Sequence, residues 1–158
     1  MSAKFVIATS QGLFSAAAPI TAVPFTMGGW FNVSAITAAS QTLVAICDNA
    51  SVDNYFTVQV SATTGFVQAT ARSAAATGAA ITATAVTAGT WNFMVGRFAS
   101  NNRWVDILLS NGDTDHAQDT TVVTPVGVDN LCVGVRQMST PGNFMGGFIS
   151  EVWWAKGD

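Results

Sequence analysis

The chain has 158 residues, the length of one domain, and only 9% of them are charged, far below the usual quarter. Nine Asp and Glu stand against six Lys and Arg, a net charge of −3, so there is no basic footprint for a phosphate backbone or an anionic lipid surface. Nucleic-acid binding through a basic patch is excluded as the main activity, and Ser, Thr, Gly and Pro break every apolar run before the roughly 18 to 20 residues that a membrane span needs.

In chain order, Lys4-Phe5-Val6-Ile7-Ala8 is too short an apolar patch for a secretory core and reads as a first strand, so no export by a signal peptide is expected. Phe25 to Val33 alternates, with Phe25, Met27, Phe31 and Val33 on one side and Thr26 and Asn32 on the other. Further strands are predicted at Thr42–Cys47, Tyr55–Val60, Phe66–Ala71, Ile81–Val86, Trp91–Phe98, Trp104–Leu109, Leu131–Arg136 and Phe144–Trp154, separated by Asn-, Gly-, Thr- and Pro-rich turns. Helix periodicity is absent. Residues 112–126, with three acids and His116, the only histidine, read as a long exposed connection. Nine or ten strands at this spacing predict a single all-β domain over 1–158, a two-sheet antiparallel sandwich. Cys47 and Cys132 fall mid-strand with no Cys-x-x-Cys spacing; buried free thiols are the plainer reading, a single cross-link the other.

Five segments in order resemble the strands of laminin-G-like domains in the concanavalin A-like jelly-roll superfamily. They are Phe25-Thr26-Met27-Gly28-Gly29-Trp30-Phe31, Gly89-Thr90-Trp91 to Phe98, Trp104 to Asn111-Gly112, Leu131-Cys132-Val133-Gly134, and Phe144 to Val152 with Gly146, Gly147 and Glu151. The resemblance implies a jelly roll. It also raises retaining glucanases of that superfamily, which need two carboxyls about 5 Å apart. Glu151 is the only Glu, its predicted role is to accept hydrogen bonds from a loop, and Asp48, Asp53, Asp113, Asp115, Asp119 and Asp129 fall in or beside turns, where they cap local backbone. His116 has no partner His or Cys nearby and reads as a solvated loop residue. No catalytic residue is assigned, and an enzyme is not expected.

Two binding features remain. Five tryptophans offer flat faces for sugar rings: Trp153 and Trp154 are adjacent, so one of them is predicted to be core and the other exposed. The candidate ligand-binding residues are Trp30, Trp154, Asp48 and Asn49, with Asp48 and Asp53 a candidate calcium pair because their oxygens are hard donors. No other cofactor is implied. The charge deficit is the second feature. A fold of this mass exposes on the order of 7,500 Å², too much for so few charges to cover, which favours burial against other proteins, with Phe5, Ile7, Ile81, Val86 and Trp153 as candidate interface residues. The style of composition resembles structural proteins of tailed bacteriophages. The leading expectation is therefore a non-enzymatic virion protein, a capsid decoration or cement component that pairs with itself and with a coat protein. The alternative is a lectin-like carbohydrate-binding module adhering to host glycans.

Overall fold

The computed structural model describes residues 2–74 and 76–157, with the side chain of Ile7 outside that description. In chain order the elements are β1 (Ser2–Phe5), a 3₁₀ turn (Ile7–Thr9), β2 (Leu13–Ser15), β3 (Phe25–Val33), β4 (Gln41–Cys47), β5 (Tyr55–Val60), β6 (Phe66–Ser73), β7 (Ala76–Ala85), β8 (Asn92–Phe98), β9 (Arg103–Leu108), β10 (Thr114–Asp119), β11 (Asn130–Val133) and β12 (Gly147–Lys156). They form two antiparallel six-stranded sheets, β1-β12-β3-β8-β9-β10 and β2-β11-β4-β5-β6-β7, as the spacing of turns and alternating runs predicts. The accessible surface is 6955 Å².

Alternation builds the core. Phe25, Met27, Phe31 and Val33 of β3 and Met94 and Phe98 of β8 meet Leu43, Val44 and Ile46 of β4 and Phe56, Val58 and Val60 of β5. At its centre Phe25 lies edge-on to Phe56 and stacked on Phe98, each at 5.0 Å between centroids. Such aromatic pairs contribute about 0.5 to 1.5 kcal/mol beyond area burial. Gly96 faces Val58 and Ala69 from the opposite sheet and leaves no room for a Cβ.

Two strands go beyond the expected set. The short β2 pairs with β11 and carries three exposed residues. The segment predicted as an exposed connection contains β10, paired with β9 from Thr114↔Leu108 to Asp119↔Arg103. Strand β10 closes the sandwich against β7, and polar groups make the closure. The Asp119 carboxylate binds the Arg103 guanidinium, which is 1% exposed and also donates to the Thr121 carbonyl at 2.6 Å. Gly78 of β7 sits over this guanidinium, and any side chain there would overlap it. Asp115 accepts the Thr84 amide of β7 at 2.7 Å. Burial works to raise the Asp115 carboxyl, but hydrogen bonds from Thr84, His116 and Ala83 outweigh it and hold the group below the usual carboxylate range.

Cys47 and Cys132 are free and buried, in agreement with the plainer of the two readings. With Ala45, Tyr55, Val135 and Met138 they form a second small apolar cluster on the far side of β4, beneath the segment that follows β11. A hydrogen bond with Cys132, reinforced by burial, pushes the Cys47 thiol well above its usual value. Phe5 and Val86, expected at an interface, belong to the main core instead. Phe5 packs on Gly134, and the amide of Val86 is held by the Gly65 carbonyl at 3.0 Å. Ile7, expected at the same interface, has its side chain outside the described residues.

Candidate functional site

The outer face of the β1-containing sheet departs from the polar exterior that alternation normally leaves. Register shows why. Ser150 of β12 pairs with Trp30 of β3, Trp30 with Phe93 of β8, Phe93 with Leu108 of β9, and Leu108 with Thr114 of β10. These five residues form one row across the strands. The row beside it is Trp153, Gly28, Val95, Asp106 and His116, and the next is Ala155, Thr26, Arg97, Trp104 and Gln118. Because side chains alternate, all three rows lie on one face, opposite the inward Met27, Met94 and Ile107.

Aromatic rings dominate this face. Trp30 and Phe93 lie 5.3 Å apart, Phe93 and Trp153 stack at 6.5 Å, and Trp91 and Phe148 approach to 6.4 Å at its margin. The Arg97 guanidinium covers the Trp104 ring at 5.5 Å. None of these rings is needed to fill the core, and all remain half-buried or exposed.

Two hollows indent the face. The larger, about 460 Å³, is lined by Phe93, Val95, Leu108, Thr114, Asp106 and His116, with Ile107 and Asp115 at its border. The smaller, about 270 Å³, is lined by Trp30, Trp91, Ser150 and Glu151. In the larger hollow Asp106 is held from two sides: Oδ1 lies 2.7 Å from His116 Nδ1, and Oδ2 accepts Arg97 Nη2 at 3.0 Å. A carboxylate oxygen accepts, so in this contact His116 donates its Nδ1–H to Asp106. At the smaller hollow a β-bulge inserts one residue into β12 between Ser150 and Trp153. Glu151 takes φ +54 there, a left-handed conformation that few non-glycine residues adopt. Bulges and such outliers gather where a side chain is re-aimed at a site. Glu151 is thus an exposed carboxylate at the lip of the hollow, not the loop-binding acceptor that the sequence suggests.

The bulge also corrects the tryptophan pair. Neither Trp153 nor Trp154 is core. Trp153 joins the aromatic face, while Trp154, whose register partner is the inward Met27, leaves it and is 41% exposed. Trp30, a candidate ligand-binding residue, lies half-buried on the outer face beside Phe93. His116 is not a loop residue but the strand partner of Asp106. Phe93, Asp106 and His116 lie outside the candidate ligand-binding set and Trp91 enters only as one of the five tryptophans, because the register that unites them is invisible without the strand pairing.

Asp48, Asn49 and Asp53 belong to the turn between β4 and β5 of the other sheet, so the structure does not bring them to Trp30. Asp48 Oδ1 accepts the Ala50 amide at 2.8 Å, the Asn49 amide donates to Asp129 at 2.9 Å, and Asp53 pairs with Arg72 at 2.7 Å. These are turn-capping contacts, and a cation bound by Asp48 and Asp53 would compete with Arg72. Among the described residues no group of three or more His, Cys, Asp or Glu side chains is placed to hold a metal. Ile81, a candidate interface residue, is exposed on β7.

No family model matches the sequence, and no curated protein matches it. Solved structures do. The LG1-3 region of the laminin α2 chain superimposes with a TM-score of 0.69 at 11% identity, over 97% of this chain and 30% of that one. The chain thus spans under a third of that laminin structure. The CBM40 of the Ruminococcus gnavus IT-sialidase bound to α2,3-sialyllactose superimposes with a TM-score of 0.66 at 18% identity, over 84% of this chain and 77% of that one. A heptameric SAP-like pentraxin from Limulus polyphemus gives 0.61 at 8% identity, over 90% and 68%. The fold is the laminin G-like, concanavalin A-like jelly roll. Within that laminin G-like framework the six-stranded sheet that carries Trp30 presents its aromatic face outward, and the second sheet carries the Asp48 turn.

Proposed function

We propose that the chain is a lectin-like carbohydrate-binding module and that its binding surface is the aromatic face around Trp30 and Phe93. The observation that carries this reading is the row Ser150, Trp30, Phe93, Leu108 and Thr114, flanked by Trp153 and bordered by the hydrogen-bonding groups of Asp106, His116 and Glu151. Sugars present C–H faces that prefer flat aromatic surface and a rim of hydroxyls that need acceptors and donors. A concave, mostly apolar surface with a few convergent polar groups meets both needs. A sialyllactose-bound module among the structural neighbours supports the same class of ligand.

Binding fits the face better than hydrolysis. Asp106 and Glu151 lie on strands three intervals, about 14 Å, apart, and the Asp106 carboxylate is already held by His116 and Arg97, an arrangement unlike the two facing carboxyls of a glycosidase. Asp115 turns to the opposite side, toward Thr84.

On a glycan array followed by calorimetry, the wild-type chain binds saturably, and Trp30→Ala or Trp153→Ala weakens binding at least tenfold, about 1.4 kcal/mol. Trp154→Ala leaves binding unchanged. Equal affinity in all variants, or no glycan bound, overturns the proposal.

A second reading draws on the edge strand β2, where Leu13 and Phe14 are 60% and 63% exposed. With so few charges on the chain, this apolar edge supports association with other protein, a virion structural role on a capsid being the specific form. It fits sedimentation well above 16.4 kDa that Leu13→Lys with Phe14→Lys abolishes; a monomer of unchanged mass counts against it.

A further inference from the structure

Of the surfaces outside the core, the two hollows carry an inference beyond the class of ligand, and it rests on the carbohydrate reading above. We infer that the hollows are the two ends of one groove, occupied by an oligosaccharide of three to four rings that runs across the strands, with Asp106 reading a pair of adjacent hydroxyls at one end.

Continuity comes from Phe93. It lines the larger hollow and touches Trp30, which lines the smaller, at 5.3 Å. No ridge of core-filling or charged side chains separates the two in the row that joins them.

Direction and length come from register. The row crosses β12, β3, β8, β9 and β10, and at about 4.8 Å between strands it measures roughly 14 Å from Ser150 to Leu108 and 19 Å to Thr114. A pyranose ring advances a chain by about the spacing of one strand, so the groove holds three to four rings, stacked first on Trp30 and Trp91 and then on Phe93.

Asp106 supplies the end stop. Each of its oxygens has about two acceptor positions, of which His116 takes one on Oδ1 and Arg97 one on Oδ2. One position per oxygen remains on a carboxylate that lines the hollow and is 41% exposed, enough to accept from two neighbouring hydroxyls. Arg97 is itself steadied on Trp104, so the carboxylate is oriented before ligand arrives. An acceptor-only group favours hydroxyl donors, so a sugar bearing two adjacent hydroxyls is the unit it selects.

The test uses calorimetry of the full chain with β-1,4-glucan, β-1,3-glucan and chitin oligosaccharides of one to six units, and with 3′-sialyllactose. Affinity for the bound series rises at least tenfold from one ring to four and then levels off. Asp106→Asn weakens the four-ring ligand at least tenfold, and its melting temperature stays within about 2 °C of the wild type because the Arg97–Asp106 pair is half exposed. If a single ring binds as tightly as four, or if Asp106→Asn binds like the wild type while Trp30→Ala does not, the groove is wrong and the carbohydrate reading stands. If the wild type binds none of these probes, both fail.

Discussion

Replacing Asp119 with alanine lowers the stability of the chain by about 3 to 5 kcal/mol, because it strands a guanidinium that the fold has taken out of water. Arg103 is 1% exposed and lies between β9 and β7, with Asp119 and the Thr121 carbonyl as its partners. Burial alone pulls its pKa below the usual value. Losing the carboxylate leaves an uncompensated charge beneath Gly78, and relaxation means opening the contact between β7 and β10. At roughly 2 to 4 °C per kcal/mol for a domain of this size, the melting temperature falls by about 10 °C. Denaturant titration checks the figure. The double variant Arg103→Met with Asp119→Ala recovers most of the loss, since replacing both members of a buried pair by apolar groups is often neutral or better. A loss under about 1 kcal/mol in the single variant means that the guanidinium reaches water and that the edge is not closed as described.

Gly147→Ala is the second large effect, at about 2 to 5 kcal/mol, from a strained backbone together with a forced displacement of neighbours. Gly147 opens β12 at φ +141 and is flanked on both sides, pairing with Phe5 of β1 and Val33 of β3. A Cβ there falls on the carbonyl oxygen of Asn32, backbone that cannot rotate away. Gly89 is the comparison. It has φ +80 but nothing within 4 Å, so Gly89→Ala meets only the backbone preference, about 1 to 2 kcal/mol. Equal losses at the two positions, measured by thermal or denaturant unfolding, contradict the packing at the start of β12, and with it the register that places Ser150 beside Trp30.

How far the sequence reveals the fold depends on which side chains each strand buries. Strand β3 is legible because its inward residues are Phe, Met and Val and its outward ones mostly are not. Strand β10 is illegible because its inward positions are Asp115, Ala117 and Asp119. The usual pattern is inverted there, since what it meets across the gap is an amide of β7 and a buried guanidinium, not an apolar layer. Strand β2 has no inward side at all, three exposed residues being too few to alternate. The site is legible only in part. Trp30 falls on the outward parity of β3, but an extra residue in β12 reverses the parity of Trp153 and Trp154, and no local pattern announces that bulge. Asp106 and His116 are ten residues apart across a hairpin, and only the pairing of β9 with β10 shows them as neighbours.

The binding face is located most directly by following the five tryptophan indole N–H signals by NMR while a four-ring oligosaccharide that binds is added. Ligand on the aromatic face shifts the signals of Trp30, Trp91 and Trp153 together with saturation, with backbone amides of Phe93, Asp106 and His116, while Trp154 and the residues of β2 stay still. Shifts confined to Trp154, to Leu13 and Phe14 or to the Asp48 turn contradict it.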